Sequence, residues 1–369
     1  MTSSDLTKLF RALQIIGKND KLRAEFVAAC RDVESHLQYR DGSVRDDITG
    51  PVLDALHSDV GILRKKLSSG LTFDFYYRSK IARDFIMSIP EVPDHVWEPQ
   101  TTKLLLLLAA HAKHVIIGGA YFGEQAVPVA KEMAPFGGVC HAFEPNLEHS
   151  KMLARNAALN ELSNLRVLKL GLWHEDHAHL TLAGEDAYAS SRSPSEGMRE
   201  ETFETITIDS YLKQQGIDHI DVIMLDIEGG ELRALQGASH QLGLREQAPS
   251  IVFEVHRNFV DWSRGLQNTE ILQYLLSFGY KVFAIRDFQS NFDMRCRPIE
   301  LIPPDSVYLE GPPHGFNMLA IKDAAKIGSG QFRICRGVSP KLLTHKDPTL
   351  HHPTDGLELK KTNERLREN

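Results

Sequence analysis

The chain has 369 residues, 42% of them hydrophobic and 25% charged, which is the ordinary composition of a globular protein. A formal net charge of -7 at pH 7 argues against nucleic acid as a partner, because backbone phosphates bind basic surfaces. The four cysteines are far apart and form no CxxC pair, so neither a disulfide framework nor a structural zinc site is expected.

The sequence contains no recognisable targeting or membrane-spanning segment. The N-terminus lacks a long apolar run followed by a small-residue cleavage site. The most apolar run, LLLLLAA at 104–110, is too short to span a bilayer. We therefore expect a cytoplasmic protein without a membrane partner.

Residues 1–95 are predicted to form a helical N-terminal module. In DLTKLFRALQIIG, apolar residues recur at the spacing of one helix face, namely Leu6, Leu9, Phe10, Leu13 and Ile16. Such a face needs a partner, so the module either caps a binding site or forms a homodimer through its helices. The aromatic segment TFDFYYRSKIARDF at 72–85 is predicted to be a helix packed into the core, with a lid over a ligand as the alternative.

From residue 96 to 325 the sequence alternates between helices and short apolar strands. Helices are predicted at 101–112, 123–134, 147–160 and 269–279, and strands at 114–118, 138–145, 165–173, 250–256, 280–287 and 316–323. Two further strands are predicted within ETITIDSYL at 204–212 and DVIMLDIEGGE at 221–231. This alternation predicts an α/β fold, whose ligands bind beyond the carboxyl ends of the parallel strands. Residues 326–369 are predicted to be a polar, loosely packed C-terminal tail.

The first predicted strand ends in a glycine-rich turn, IIGGAYFG at 116–123. Glycine allows a backbone to approach a ligand closely. The turn is too short for the G-x-G-x-x-G dinucleotide motif, and it lacks the Lys-Ser/Thr ending of a phosphate-binding loop. Taken alone, it fits a tight strand–helix connection as well as it fits a binding loop.

The second predicted strand ends in FEPN, which places Glu144 about twenty residues beyond the glycine turn. A carboxylate in this position can accept hydrogen bonds from both hydroxyls of a ribose. Without a diphosphate cradle, a nucleoside that lacks phosphates is the better ligand. S-adenosylmethionine (SAM) has this shape, since it consists of adenine, ribose and a short amino-acid arm.

Three acidic residues, Asp226, Glu228 and Glu231, follow the buried strand in LDIEGGE. Glu231 also stands where the next helix begins, and a negative charge is favourable there because of the helix dipole. Asp226 and Glu228 are therefore the stronger candidates for function.

The segments GGAYFG, AFEPN, TIDSYL, MLDIEGGE and VFEVH resemble, in order and spacing, those of the FkbM family of SAM-dependent methyltransferases. The resemblance covers about residues 96 to 323. It implies the class I methyltransferase fold, a Rossmann-like, mostly parallel seven-stranded sheet whose last strand, FNMLAIKD, is antiparallel. It also implies SAM as the cofactor and a small-molecule acceptor, methylated at a hydroxyl of a natural product or sugar. N-methylation, a non-catalytic binding protein on the same scaffold and an NAD-dependent oxidoreductase are the alternatives.

The resemblance also implies which residues contact the cofactor: Gly118, Gly119, Ala120, Tyr121, Gly123, Glu144, Pro145, Asn146, Gly171, Leu172, Trp173 and Asp226. The sequence departs from the usual D-x-G-A-N-x-G motif of the family, because Ile117 replaces the Asp and Tyr121 replaces the Asn. We therefore expect cofactor contacts at this turn from backbone groups and from Tyr121.

Methyl transfer requires an acceptor aligned with the methyl group and a base that removes the hydroxyl proton. The candidate catalytic residues are Asp226, His256 and Glu228, with His256 or Asp226 as the base. Glu254 lies two residues before His256 and could orient it or bind metal. Together these four side chains would offer hard ligands to Mg²⁺, but a metal-free site is favoured. The polar segment AYASSRSPSEGMREE at 187–201 is a candidate acceptor loop.

Overall fold

The computed structural model describes residues 3–37, 39, 42–183, 190–192, 202–310, 315–327 and 330–354. The N-terminal segment begins with helices α1 (Ser3–Gly17), α2 (Asp20–His36) and α3 (Gly50–His57). An antiparallel hairpin of β1 (Ile62–Lys66) and β2 (Thr72–Tyr76) follows, and then α4 (Lys80–Met87). The predicted helical module is present, but the prediction of helix for the residues of the hairpin is wrong.

The hairpin forms because its sequence favours strands. Aromatic residues prefer extended backbone, and Gly70 takes a φ of +90° in the connecting turn. Phe73 and Phe75 are fully buried, and each packs on Phe122, with ring centroids 6.1 and 5.9 Å apart. The aromatic segment therefore packs into the core as predicted, although it does so from a strand.

Helices and strands alternate through the rest of the chain. In order, they are α5 (Pro99–Ala109), β3 (His114–Gly118), α6 (Ala126–Met133), β4 (Val139–Phe143), α7 (Leu147–Leu159), β5 (Leu165–Leu168), β6 (Gly171–Leu172), β7 (His179–Ala183), β8 (Ser190–Arg192), β9 (Thr202–Ile206), α8 (Ile208–Gln215), β10 (Val222–Leu225), α9 (Glu231–Gln236), α10 (Ser239–Gly243), β11 (Ser250–Val255), α11 (Glu270–Ser277), β12 (Lys281–Ile285), β13 (Ile299–Ile302), β14 (Phe316–Ile321), β15 (Phe332–Ile334) and α12 (Pro348–His351).

Nine strands form the main sheet, in the order β15-β13-β12-β14-β11-β10-β3-β4-β5. The five strands from β11 to β5 are parallel, whereas β14 runs antiparallel to both β11 and β12. The predicted class I methyltransferase sheet with its antiparallel last strand is confirmed. It has two strands more than predicted because β13 and β15 extend the edge beyond β12.

A second sheet of four short strands has the order β6-β9-β7-β8. The strand predicted at 165–173 is divided between the two sheets, because β5 joins the main sheet and β6 pairs with β9. Most of the predicted acceptor loop at 187–201 lies outside the described residues, and only β8 belongs to them.

The centre of the main sheet is buried on both faces. All four residues of β10 are at most 1% exposed, as continuous apolar runs in parallel sheets usually are. One face packs against α5, α6, α7 and the N-terminal hairpin, and the other against α8, α9 and α11. No helix in the described part of the chain is both long and apolar enough to cross a membrane.

Residues 330–354 pack against the sheet, so the prediction of a loosely packed tail is wrong for them. The fully buried Arg286 forms an ion pair with Glu300 and donates hydrogen bonds to the carbonyls of Ser339 and Leu350 at 2.8 and 2.9 Å. The polar sequence concealed this packing, because buried ionic and backbone contacts hold the segment in place.

Candidate active site

A cavity of about 430 Å³ lies at the carboxyl ends of β3, β4, β10 and β11. Ligands of parallel sheets bind at this edge, where the strand order reverses on either side of β3. Ten of the predicted site residues line it: Gly118, Gly119, Tyr121, Glu144, Pro145, Gly171, Leu172, Asp226, Glu228 and His256. The sequence motifs thus converge on one cavity.

The glycine turn after β3 is held against the ends of its two neighbouring strands. Gly119 has a φ of +76°, and a Cβ atom there would lie 1.7 Å from the carbonyl oxygen of Asp226. The N–H groups of Gly119 and Ala120 both donate to the carbonyl of Phe143, at 3.0 and 3.1 Å. Only glycine fits at position 119, since both the backbone conformation and the close approach exclude a side chain.

Tyr121 connects the glycine turn to the N-terminal module. It adopts a left-handed φ of +44°, a conformation that Asn tolerates better than bulky residues. Its hydroxyl donates to Ser79 Oγ at 3.3 Å, and Ser79 is the N-cap of α4. Its ring packs edge-on against His149, with centroids 4.6 Å apart. These contacts compensate for the unfavourable conformation and account for tyrosine where the family motif has Asn.

Glu144 is a buried carboxylate whose orientation is fixed by two backbone amides. Its Oε2 accepts a hydrogen bond from the N–H of Tyr121, and its Oε1 accepts one from the N–H of Asn146, both at 2.9 Å. A carboxylate oxygen can accept more than one hydrogen bond, so the group retains acceptor capacity on the cavity wall.

Four residues predicted to contact the cofactor do not line this cavity: Ala120, Gly123, Asn146 and Trp173. The side chain of Asn146 caps α7 by accepting from two N–H groups of its first turn. A Cβ atom at Gly123 would lie 2.6 Å from the side chain of Leu153, so this glycine allows close packing. The structure gives these two residues structural roles, and cofactor contact from all four stays a prediction.

The cavity wall is strongly acidic. Burial raises the pKa of Asp226 to about 6 and the pKa values of Glu124 and Glu228 to about 8. Burial and neighbouring carboxyl groups also hold the pKa values of Glu98 and Glu254 well above the ordinary range. A wall of this kind suits a ligand that carries positive charge.

Asp226, Glu228 and Glu254 lie close together at the ends of β10 and β11. One carboxylate oxygen of each lies within 4.8 Å of those of the other two, and no other group of described residues meets the requirements of a metal site. Glu228 reaches this position from a left-handed turn with a φ of +52°. These three side chains are therefore the ones that could hold a metal ion.

Glu231 is the first residue of α9 and holds the turn that precedes it. Its carboxylate accepts hydrogen bonds from the N–H groups of Ile227 at 2.9 Å and Gly229 at 3.1 Å. Burial raises its pKa to about 7. Its role is to fix the turn that carries Glu228.

The hydrogen bonding of His256 bears on its predicted role as a base. Its Nδ1 accepts a hydrogen bond from the N–H of Asn258 at 3.1 Å, and burial lowers the pKa of the ring. A neutral imidazole whose Nδ1 is an acceptor carries its proton on Nε2. This tautomer makes His256 a hydrogen-bond donor through Nε2, which favours Asp226 as the base.

Sequence reasoning missed two acidic residues of the cavity, Glu98 and Glu124. Glu98 adopts a φ of +45°, and its carboxylate accepts a hydrogen bond from Asn317 Nδ2 at 2.6 Å. Glu124 follows the glycine turn directly, and no described residue donates a hydrogen bond to its buried Oε2. Neither residue belongs to a recognisable motif, although the position of Glu124 next to the turn was a signal that could have been used.

The N-terminal segment also contributes to the cavity. Lys80 and Ile81, in the first turn of α4, line it together with Trp97. Gln100, in the first turn of α5, is fully buried outside the cavity wall, and its N–H donates to Asp287. The cavity is therefore shared between the methyltransferase sheet and the module that precedes it.

Residues 118–282 match the model of the methyltransferase FkbM domain. The chain therefore carries an FkbM methyltransferase domain, and the family resemblance of its motifs is confirmed. The match begins at Gly118, the last residue of β3, and ends within β12, and the side chains of the N-terminal segment that line the cavity lie before it.

Several solved structures are similar to the chain. Methyltransferase FkbM from Methylobacillus flagellatus KT is 16% identical, with 57% of this chain and 44% of that chain covered and a TM-score of 0.34. The O-methyltransferase from Bacillus cereus in complex with SAH is 14% identical, with 61% and 81% covered and a TM-score of 0.33. M. jannaschii TYW2 in complex with AdoMet is 13% identical, with 70% and 85% covered and a TM-score of 0.34. The chain thus spans less than half the length of the first of these, and a comparison with curated proteins finds no match.

Proposed function

We propose that the protein is a SAM-dependent methyltransferase that methylates a hydroxyl group of a small molecule, such as a natural product or a sugar. One observation carries the proposal. The glycine turn, the pre-oriented carboxylate of Glu144 and the acidic group at Asp226 line a single cavity in an FkbM methyltransferase domain.

Each part of the cavity suits one part of SAM. Glu144 would accept hydrogen bonds from the ribose hydroxyls, and Gly118 and Gly119 leave room for the methionine arm. Ile117 replaces the usual acid of the motif, and Glu98 and Glu124 supply carboxyl groups that could bind the ammonium of that arm. NAD fits less well, because the turn lacks a diphosphate cradle.

The chemistry requires alignment and the removal of one proton. When bound, SAM would supply a methyl group from its sulfonium, whose S–C bond would break with the electron pair left on sulfur. Asp226, whose pKa is raised by burial to about 6, would take the proton from the acceptor hydroxyl as the hydroxyl oxygen attacks the methyl carbon. His256 would donate a hydrogen bond from Nε2 and so help to orient the acceptor.

We assign the N-terminal module the role of a cap over the acceptor end, because Lys80 and Ile81 contribute to the cavity wall. The same module has a second, exposed apolar face on α1. Leu6, Leu9 and Phe10 are each about half exposed there, at 51%, 51% and 47%. We therefore also propose that two copies of the protein form a homodimer through this face of α1.

Calorimetric titration of SAM and, separately, of NAD into the full chain tests the proposed function. We expect SAM to bind, NAD not to bind, and Glu144→Gln to weaken SAM at least tenfold because it loses the charged ribose acceptor. The matched control is Glu132→Gln, an exposed glutamate of α6 outside the cavity, which should bind SAM like the unaltered protein. Preference for NAD, or unchanged SAM affinity in Glu144→Gln, would contradict the proposal.

A further inference from the structure

We propose that Asp226, Glu228 and Glu254 bind a divalent cation of the Mg²⁺ class inside the cavity. One oxygen of each carboxyl group lies within 4.8 Å of the other two. Oxygen ligands about 2.1 Å from a cation stand roughly 3 to 4 Å apart, so small side-chain rotations would close this group around an ion. The three residues come from the end of β10, from the turn after it and from β11, so the protein brings them to one place by its fold.

Glu254 provides a second observation, independent of the clustering. Its Oε2 is fully buried, and no described residue offers it a hydrogen bond. On its other side the carboxyl group is confined by the backbone, since a Cβ atom at Gly315 would lie 1.6 Å from Glu254 Oε1. A buried carboxyl group without a donor is costly when it is ionised, and protonation, the charge of Lys341 or a bound cation would each offset that cost.

The other buried acids near the cavity show how the fold satisfies a structural carboxylate. Glu144 accepts hydrogen bonds from the N–H groups of Tyr121 and Asn146. Glu231 accepts hydrogen bonds from the N–H groups of Ile227 and Gly229. Glu254 has no comparable donor among the described residues, which distinguishes it from acids whose role is to hold a turn.

The donor set determines the class of cation. All three ligands are carboxylate oxygens, and the group contains neither cysteine nor histidine. Hard oxygen donors favour Mg²⁺, Mn²⁺ or Ca²⁺, whereas Zn²⁺ and Cu²⁺ prefer nitrogen and sulfur. Three protein ligands would leave further positions of an octahedral ion for water and for an acceptor oxygen.

The cation would act at the acceptor end of the cavity, an assignment that rests on the proposed function. A hydroxyl group bound to it would become more acidic and would be held beside Asp226. Asp226 has two carboxylate oxygens, so one can ligate the ion while the other accepts the proton.

The test is a titration of Mn²⁺ into the full chain after treatment with a chelator, with free Mn²⁺ followed by electron paramagnetic resonance. No SAM and no acceptor are present, so any binding belongs to the protein alone. We expect one Mn²⁺ per chain, displaced by Mg²⁺, and at least tenfold weaker binding in Glu254→Gln, Glu228→Gln and Asp226→Asn. The matched control is Glu132→Gln, because Glu132 is an exposed glutamate of α6 outside the cavity and its loss should leave Mn²⁺ binding unchanged.

The absence of stoichiometric Mn²⁺ binding would overturn the inference, and so would equal binding by Glu254→Gln and the unaltered chain. Circular dichroism checks that each variant is folded, and if one fails to fold, the other two decide. SAM titration in the presence of chelator keeps the two proposals apart. SAM binding without Mn²⁺ binding would reject the cation site and leave the proposed methyltransferase function standing. Mn²⁺ binding without SAM binding would retain the cation site and reject the proposed function.

Discussion

Gly119 and Tyr121 both take left-handed backbone conformations in the turn after β3, with φ values of +76° and +44°. The two residues meet this demand in different ways. Gly119 has no side chain and can touch the end of β10, whereas Tyr121 is held by the carboxylate of Glu144 and the hydroxyl of Ser79. The site thus depends on a strained turn that is stabilised by contacts on both sides.

At the residue scale, we predict that Gly119→Ala destabilises the protein by about 2–4 kcal/mol, since it adds a steric clash to an unfavourable φ. The matched control is Gly137→Ala, because Gly137 has a similar φ of +68° but no atom within 4 Å of its added Cβ. Gly137→Ala should lower the free energy of unfolding by only about 1 kcal/mol. Urea unfolding of both variants measures the difference, and equal losses would show that the contact with Asp226 is unimportant.

At the opposite end of the sheet, the buried His141 and Tyr211 and the half-buried His114 join strands β3 and β4 and helix α8. His141 Nδ1 lies 2.7 Å from the hydroxyl of Tyr211, and His141 Nε2 lies 3.2 Å from His114 Nδ1. Burial lowers the pKa of His141 from 6.5 to about 4. This hydrogen-bonded group stabilises the neutral form of His141 and connects β3 and β4, which carry site residues, to α8.

At the element scale, the lowered pKa of His141 predicts that the folded protein loses stability in acid. The unfolded chain takes up a proton at His141 near pH 6.5, while the folded chain does so only near pH 4. The stabilising contribution of the neutral ring is therefore fully present above pH 6.5 and is lost as the pH falls from 6.5 to about 4. The difference corresponds to about 3 kcal/mol. Urea unfolding from pH 7 to 4 should show a shallower decline in His141→Phe than in the exposed control His111→Gln. Parallel declines in the two variants would refute this assignment.

The whole molecule extends the family domain at both ends. The N-terminal segment supplies cavity residues, and the C-terminal segment adds β15 and surrounds the buried pair of Arg286 and Glu300. Arg286 also donates to the carbonyls of Ser339, Leu350 and His352. Residues outside the match at 118–282 are therefore part of the same folded unit as the sheet.

At the scale of the molecule, we predict that deletion of residues 330–369 lowers the free energy of unfolding by about 3–5 kcal/mol, because it exposes a buried ion pair and removes its partners. The control is deletion of 355–369 alone, which retains all the carbonyls that Arg286 contacts. Denaturant unfolding of the two truncated chains measures the effect. Equal stability would show that the C-terminal segment contributes nothing.

The features of the fold and the site that could be predicted from the sequence are those that local patterns encode. The bounds of β3 are those predicted, because an apolar run ends on glycines, and Glu144 and Asp226 follow strands whose ends meet at one edge. The hairpin was missed because β1 and β2 lie in a segment whose apolar spacing also suits a helix. The place of Glu98 in the cavity depends on tertiary packing that no local pattern records.

The central claim is that this cavity binds SAM with its ribose at Glu144, and a crystal structure of the full chain with S-adenosylhomocysteine tests it most directly. The account predicts the nucleoside in the cavity, with both ribose hydroxyls within hydrogen-bond distance of the Glu144 carboxylate and the sulfur facing Asp226. S-adenosylhomocysteine bound elsewhere, or an empty cavity at saturating ligand, would contradict it.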